Sequence, residues 1–192
     1  MAVGEHALTS WKTAVSMFGY LDDEQTLVEK LIDQATARME LYTKRKLAAR
    51  DYDAVQLDGT GRDYLLLPEY PVNSIESVNL DSSRTFGDAT LLDSSDYIID
   101  SEAGIIRLFS GVFPGYRGSV LVSYNAGFAS TSQLYPMLEG GCLETVHWLK
   151  TRYAGGIGKR TETNADGMSV GYEIDLPVNV RSMLDEIMRR DR

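Results

Sequence analysis

Cysteine is almost missing from this chain of 192 residues: Cys142 stands alone. No internal disulfide can form, and a lone thiol in an apolar helical pattern is read as a small core residue rather than a redox centre. Histidine is nearly as scarce, with only His6 and His147. His147 falls five residues after Cys142, about 140° around a helix, so the two share no face and no Cys-His pair forms there. Hydrolytic and metal chemistry therefore lack their usual donors. No catalytic residue, metal site or cofactor is assigned, and His147 is read as structural or surface. No stretch approaches the roughly 20 apolar residues of a membrane-spanning helix, and MAVGEHALTS lacks the basic start and apolar run of a signal peptide. The expected setting is a cytoplasm, without a membrane partner. Positive charge is also short: 19 Lys and Arg against 28 Asp and Glu leave a formal charge of -9, which opposes a surface built to grip nucleic-acid phosphates.

What is present is a globular balance of 43% hydrophobic and 24% charged residues, enough for one sizeable core or a smaller core with an inserted module. Thr9 or Ser10 can cap a first helix with Trp11, Ala14, Val15 and Phe18 on one face, and Gly19 ends it. Asp22 or Asp23 caps a second helix, in which Val28, Leu31, Ile32, Ala35, Met39 and Tyr42 follow the three-and-four spacing of a buried stripe. Lys44, Arg45 and Lys46 close that helix in a position that complements its dipole.

From about Asp51 the texture changes to closely spaced Gly, Pro and Asp turns. The strands expected between them are Asp63 to Leu67, Ser74 to Leu80, Tyr97 to Ile99, Ile105 to Phe109 and Ser119 to Asn125, and the short connections require antiparallel pairing. Helical pattern resumes at Pro136 with Leu138, Cys142, Val146, Leu149 and Tyr153 on one face. Gly140 and Gly141 weaken this helix by roughly 1 kcal/mol each relative to Ala, so either its start is irregular or another backbone packs closely there. The segment GGIGKRTETNADG reads as a mobile loop, MSVGYEI as a strand, and Pro177 introduces a last helix with Val180, Met183, Leu184 and Ile187 in a stripe.

Two motifs fail on inspection. Asp58, Gly59 and Gly61 approach a calcium loop, but Arg62 occupies a ligand position, so turn chemistry is the better account. GGIGKR lacks the first Gly and the Ser or Thr of a phosphate loop and follows a helix instead of a strand. Its residues Gly155, Gly156, Gly158, Lys159 and Arg160 are either a flexible connection or a loop ordered by a neighbouring subunit. The last helix likewise either closes the core or docks on a partner, where Arg and Met are enriched.

The order of segments carries a resemblance. LIDQATARMELYTKRKL, DYLLLPEYPVNSIESVNLD, DYIIDSEAGIIRL, VLVSYNAGF and MSVGYEIDLPVNVRSMLDEI together resemble a tailed-bacteriophage head-tail connector, or adaptor, of the long type, from about Leu21 to Met188. The resemblance implies an α+β fold: a helical core built from both ends of the chain, residues 1–50 and 131–192, with an antiparallel β-insert over 51–130. It implies a structural protein of the virion neck, assembled in the bacterial host cytoplasm as a twelvefold ring of copies beneath the portal. The ring would extend the DNA channel, through which DNA passes without specific binding, and would meet the next neck or tail protein below. Portal docking is expected at Arg181, Leu184, Ile187, Met188, Arg189 and Arg190, with Gly155 to Arg160 as a flexible interface loop. A neck stopper or tail-completion protein, and more distantly an enzyme, are the other readings.

Overall fold

In the computed structural model, residues 3–155, 161–163, 169–171 and 176–188 are described. The chain is mixed α+β and divides into two compact units, Met1–Leu47 with Gln133–Arg192, and Ala48–Ser132.

The first unit is helical. Helix α1 spans Trp11–Phe18; the Ser10 hydroxyl accepts the Thr13 N–H at 3.2 Å, and Gly19 ends the helix at φ 65°. Ser10 is thus the cap, while Thr9 turns its hydroxyl to Glu139 at 3.1 Å. Helix α2 spans Gln25–Thr43 and buries Val28, Leu31, Ile32, Ala35 and Met39. Each such large apolar side chain, fully removed from water, contributes about 1.5–3 kcal/mol. Neither Asp22 nor Asp23 caps α2. They open a 3-10 turn, Asp22–Glu24, and it is the Glu24 carboxylate that takes the Leu21 N–H at 3.1 Å. Helix α3, Tyr135–Gly155, packs on α2 through Leu138, Cys142, Val146 and Leu149, all buried. Tyr153 continues that stripe in sequence but stays partly exposed, its hydroxyl donating to Gln34 at 3.3 Å. Helix α4 spans Val178–Ile187 and meets both α2 and α3.

The second unit holds strands β1 (Arg50–Leu57), β2 (Tyr64–Leu66), β3 (Val72–Leu80), β4 (Tyr97–Asp100), β5 (Ile105–Leu108) and β6 (Val120–Ala126). They form two antiparallel three-stranded sheets, ordered β1-β6-β3 and β2-β5-β4. On β6, Val120, Val122, Tyr124 and Ala126 point inward in strict alternation, as period-two patterning requires. They join Leu65, Val78, Ile106 and Phe113 in one core to which both sheets contribute.

Strand β1 was not among the sequence expectations. A bulge hides it: Tyr52 pairs with Tyr124 and Val55 with Val122, so Asp53 and Ala54 together oppose one residue, and Ala54 takes φ 50°. The extra residue breaks the alternation by which strands are recognised. A short hairpin of β7 (Thr161–Thr163) and β8 (Ser169–Gly171) lies between α3 and α4. Strand β7 therefore falls in the segment expected to be loop throughout, whose Gly-rich start masks the Thr-Glu-Thr run.

Two glycines are required by geometry. A Cβ on Gly59 would stand 1.6 Å from the Pro114 carbonyl oxygen, and one on Gly127, at φ 110°, would stand 2.6 Å from that of Ala48.

Candidate functional site

The terminal helix α4 is the element to which sequence reasoning assigns docking, and its seating is well defined. Leu176, Val180 and Leu184 are fully buried. Gly141 of α3 makes the space: a Cβ there would meet Met183 Cε at 2.7 Å and Sδ at 3.2 Å, with Val180 Cγ1 at 3.6 Å. The glycine read as a weakness in α3 is thus a recess for α4, filled by a side chain and not by a backbone. A Cβ on Gly140 would meet nothing within 4 Å.

Polar contacts fix the helix at both ends. Near its start, the Asn179 amide donates to Glu144 on α3. Near its end, the Tyr42 hydroxyl donates to Asp185 Oδ1 at 2.7 Å, and this bond to a carboxylate, together with partial burial, raises the phenol above its ordinary value. Arg45 Nη2 donates to the Ile187 carbonyl at 2.7 Å, satisfying one of the acceptors that a helix C-terminus leaves open.

That contact corrects the reading of the basic cluster. α2 ends at Thr43, and Lys44 takes the left-handed cap at φ 56°. Arg45 is only 6% exposed and serves α4, while Lys46 pairs with Glu40 at 2.7 Å. The three residues have three separate tasks.

The expected docking residues divide accordingly. Leu184 is 0% exposed and belongs to the core of the helical unit, so it is withdrawn from the docking set. A helical stripe cannot by itself distinguish a core from an interface. Arg181, Ile187 and Met188 are half-buried. Arg189 and Arg190 lie outside the described residues, as do Gly156, Gly158, Lys159 and Arg160 of the expected interface loop, whereas Gly155 is the last residue of α3.

The groups that could have carried chemistry are tied into the scaffold. Cys142 is buried beside Thr36, 3.7 Å from its hydroxyl, and burial pushes the thiol up to about 12, where almost no nucleophilic thiolate exists at neutral pH. His147 stacks on Phe18 with ring centroids 4.7 Å apart, and its Nδ1 lies 3.2 Å from the Tyr20 hydroxyl. Lys150 stands 3.9 Å from the centre of the Tyr20 ring and pairs with Glu24 at 2.6 Å. This cluster ties α3 to α1 and to the turn before α2. Among the described residues, no group of three or more His, Cys, Asp or Glu side chains could hold a metal ion, and no helix is long and apolar enough to cross a membrane.

The second unit carries a denser polar feature. The Asp81 carboxylate accepts the Ser83 and Thr85 hydroxyls at 2.5 and 2.7 Å, and the N–H groups of Ser83, Thr85 and Phe86 at 2.8, 2.7 and 3.1 Å. These bonds, the two hydroxyls foremost, hold its carboxyl far below the ordinary carboxylate range. They order the start of the connection from β3 to β4.

Among the described residues, the polar side chains of the helical unit fasten one element to another. The family model described as "HCP: Head completion protein" matches residues 7–189, and the chain belongs to that family. Its role is structural, at the connection of head and tail in a phage-like virion. No curated protein matches the chain. Among solved structures, it is similar in fold to a chain of the native gene transfer agent virion, with TM-score 0.62 and 19% identity, covering 100% of this chain and 94% of that one. A chain in the neck of the native gene transfer agent particle, computed with C12 symmetry, gives TM-score 0.57 and 18% identity, covering 100% and 97%. A chain in the neck of the empty particle, computed with C6 symmetry, gives 0.57 and 17%, covering 91% and 83%.

Proposed function

We propose that this protein is one copy of a closed ring in the virion neck, seated beneath the portal, continuing the DNA channel and presenting its far side to the next neck or tail protein. The observation that carries the reading is the head completion match across residues 7–189. The fold likeness to a chain in a neck computed with twelvefold symmetry supports the ring. In this reading the helical unit bears the portal contact, and the β-unit is an insert with a surface of its own. The protein performs no catalysis.

Charge supports passage of DNA without capture. Within Ala48–Ser132 there are twelve carboxylates, five arginines and no lysine, so this unit carries -7 of the chain's -9. Copies of it around a channel repel phosphates instead of holding them.

For docking we propose Arg181 in the first turn of α4 together with Ile187 and Met188 at its end, continued by Arg189 and Arg190. Truncation after Met188 tests this, because it removes only arginine and aspartate residues and leaves Val180 and Leu184 in their seats. The expected result is an unchanged melting temperature with portal binding weakened on the order of tenfold or more, as loss of charged interface anchors does. Unchanged portal affinity would refute the part assigned to Arg189 and Arg190, and an Arg181→Glu, Met188→Glu variant that also binds as wild type would refute the rest.

A further inference from the structure

The outer face of the β2-β5-β4 sheet carries opposite charge on its two sides. Leu65, Ile106 and Ile99 pair across the sheet and point inward, with Leu65 and Ile106 fully buried. The rows on either side must therefore point outward: Leu66, Ile105 and Asp100 in one, Tyr64, Arg107 and Ile98 in the other. Phe109 and Asp96 continue the pattern just beyond the strands, joined by a 2.9 Å bond from the Phe109 N–H to the Asp96 carbonyl.

Apolar side chains lie between these charges on all three strands, with Leu66 of β2 48%, Ile98 of β4 55% and Phe109 just beyond β5 66% exposed. Towards β2, Arg62 from just before that strand and Arg107 from the central β5 converge on Tyr64, 5.7 and 5.6 Å from its ring centre, and Arg62 also donates to its hydroxyl at 2.6 Å. In a unit with twelve carboxylates, the side-chain contacts of these two cations are with this ring and hydroxyl, and among the described residues neither pairs with a carboxylate. On the β4 side stand Asp96 and Asp100, both exposed. Strands β2 and β4 are also the two edges of the sheet, with three and four residues respectively.

We propose that this face is a contact between neighbouring copies of the chain, with the Arg62–Arg107 side of one copy meeting the Asp96–Asp100 side of the next. The inference rests on the ring reading above and names the surface that closes the ring in the β-unit. Its physical ground is charge complementarity. Two units of charge -7 repel unless cations of one are set against carboxylates of the other, and the exposed apolar strip gains by being covered in the same step. A contact joining two different patches is heterologous, the kind that generates rings when the rotation closes.

Charge exchange tests the proposal in the full-length chain. Self-association of wild type, Arg107→Glu, Asp96→Lys and the double variant is measured by sedimentation velocity over a concentration series, alone and with portal protein as template. Both positions are exposed, and thermal melts check that each variant remains folded. The expected result is that each single variant weakens association on the order of tenfold or more, and that the double variant restores it to within about threefold, because the swapped charges meet again between copies. Single variants that assemble as well as wild type, or a folded double variant that fails to recover, would overturn this surface while leaving the ring intact. If wild type forms no multimer under either condition, the ring reading falls and this inference falls with it.

Discussion

Replacing Gly140 and Gly141 by alanine, one at a time, separates helix propensity from the seating of α4. Both glycines lie inside α3 and neither has a positive φ, so each substitution gains about 1 kcal/mol of intrinsic helix stability. At Gly140 a Cβ enters open space, and that gain is expected in full, raising the melting temperature by about 2–4 °C for a chain of this size. At Gly141 the Cβ would stand 2.7 Å from Met183 Cε and 3.2 Å from Sδ. The thioether is flexible and will move, but forcing it from its rotamer costs about 0.5–1.5 kcal/mol. The net effect of Gly141→Ala is therefore close to zero. In a Met183→Ala background the obstruction is gone, leaving Val180 Cγ1 at an ordinary 3.6 Å, and Gly141→Ala should then stabilise by about 1 kcal/mol. Urea unfolding followed by tryptophan fluorescence reports on the right part of the molecule, since Trp11 and Trp148 both lie in the helical unit and none lies in the other. Equal stabilisation by Gly140→Ala and Gly141→Ala in the wild-type background would show that Met183 does not occupy the recess.

Three further outcomes are expected. Gly59→Ala should destabilise the β-unit by about 3 kcal/mol or more, because the obstructing atom, the Pro114 carbonyl oxygen at 1.6 Å, is backbone and cannot swing aside; a melting temperature unchanged from wild type would contradict the close approach. Asp81 has a folded-state pKa depressed below the ordinary 3.8, so its stabilising contribution is complete above that value and fades as pH falls through the lower, folded one. Hydrogen exchange at Ser83, Thr85 and Phe86 should therefore stay slow through pH 4 in wild type and speed up at all pH values in Asp81→Ala, and equal rates in the two proteins would refute the loop's dependence on this carboxylate. Cys142, buried with its thiol pushed up to about 12, should resist a thiol reagent at pH 8 until denaturant is added, with rapid labelling of the native chain as the contrary result.

Legibility from sequence followed the strength of local signals. The α2 stripe, Ser10 and Gly19 could be read because a buried face and two caps each have a short-range cause. Strand β6 was legible because Val120, Val122 and Tyr124 alternate without interruption. Strand β1 was not, because the bulge at Asp53 and Ala54 shifts its alternation midway. Arg45 was misread for a different reason: its partner, the Ile187 carbonyl, is 142 residues away, and no local pattern encodes that distance. Leu184 shows the limit of periodicity, which marks a face to be buried without saying whether the chain itself or a partner buries it. The outward face of the β2-β5-β4 sheet was equally hidden, since Tyr64, Arg107 and Ile98 become neighbours only through strand register.

In the proposed neck assembly, copies of this chain close into a ring on the channel axis under the portal. An electron-microscopy reconstruction of the full-length protein mixed with its portal tests this most directly. The expected density is an annular layer coaxial with the portal, with an open lumen and β-units in contact from copy to copy. Isolated copies scattered on the portal without lateral contact, or a plug of density closing the channel, would contradict it.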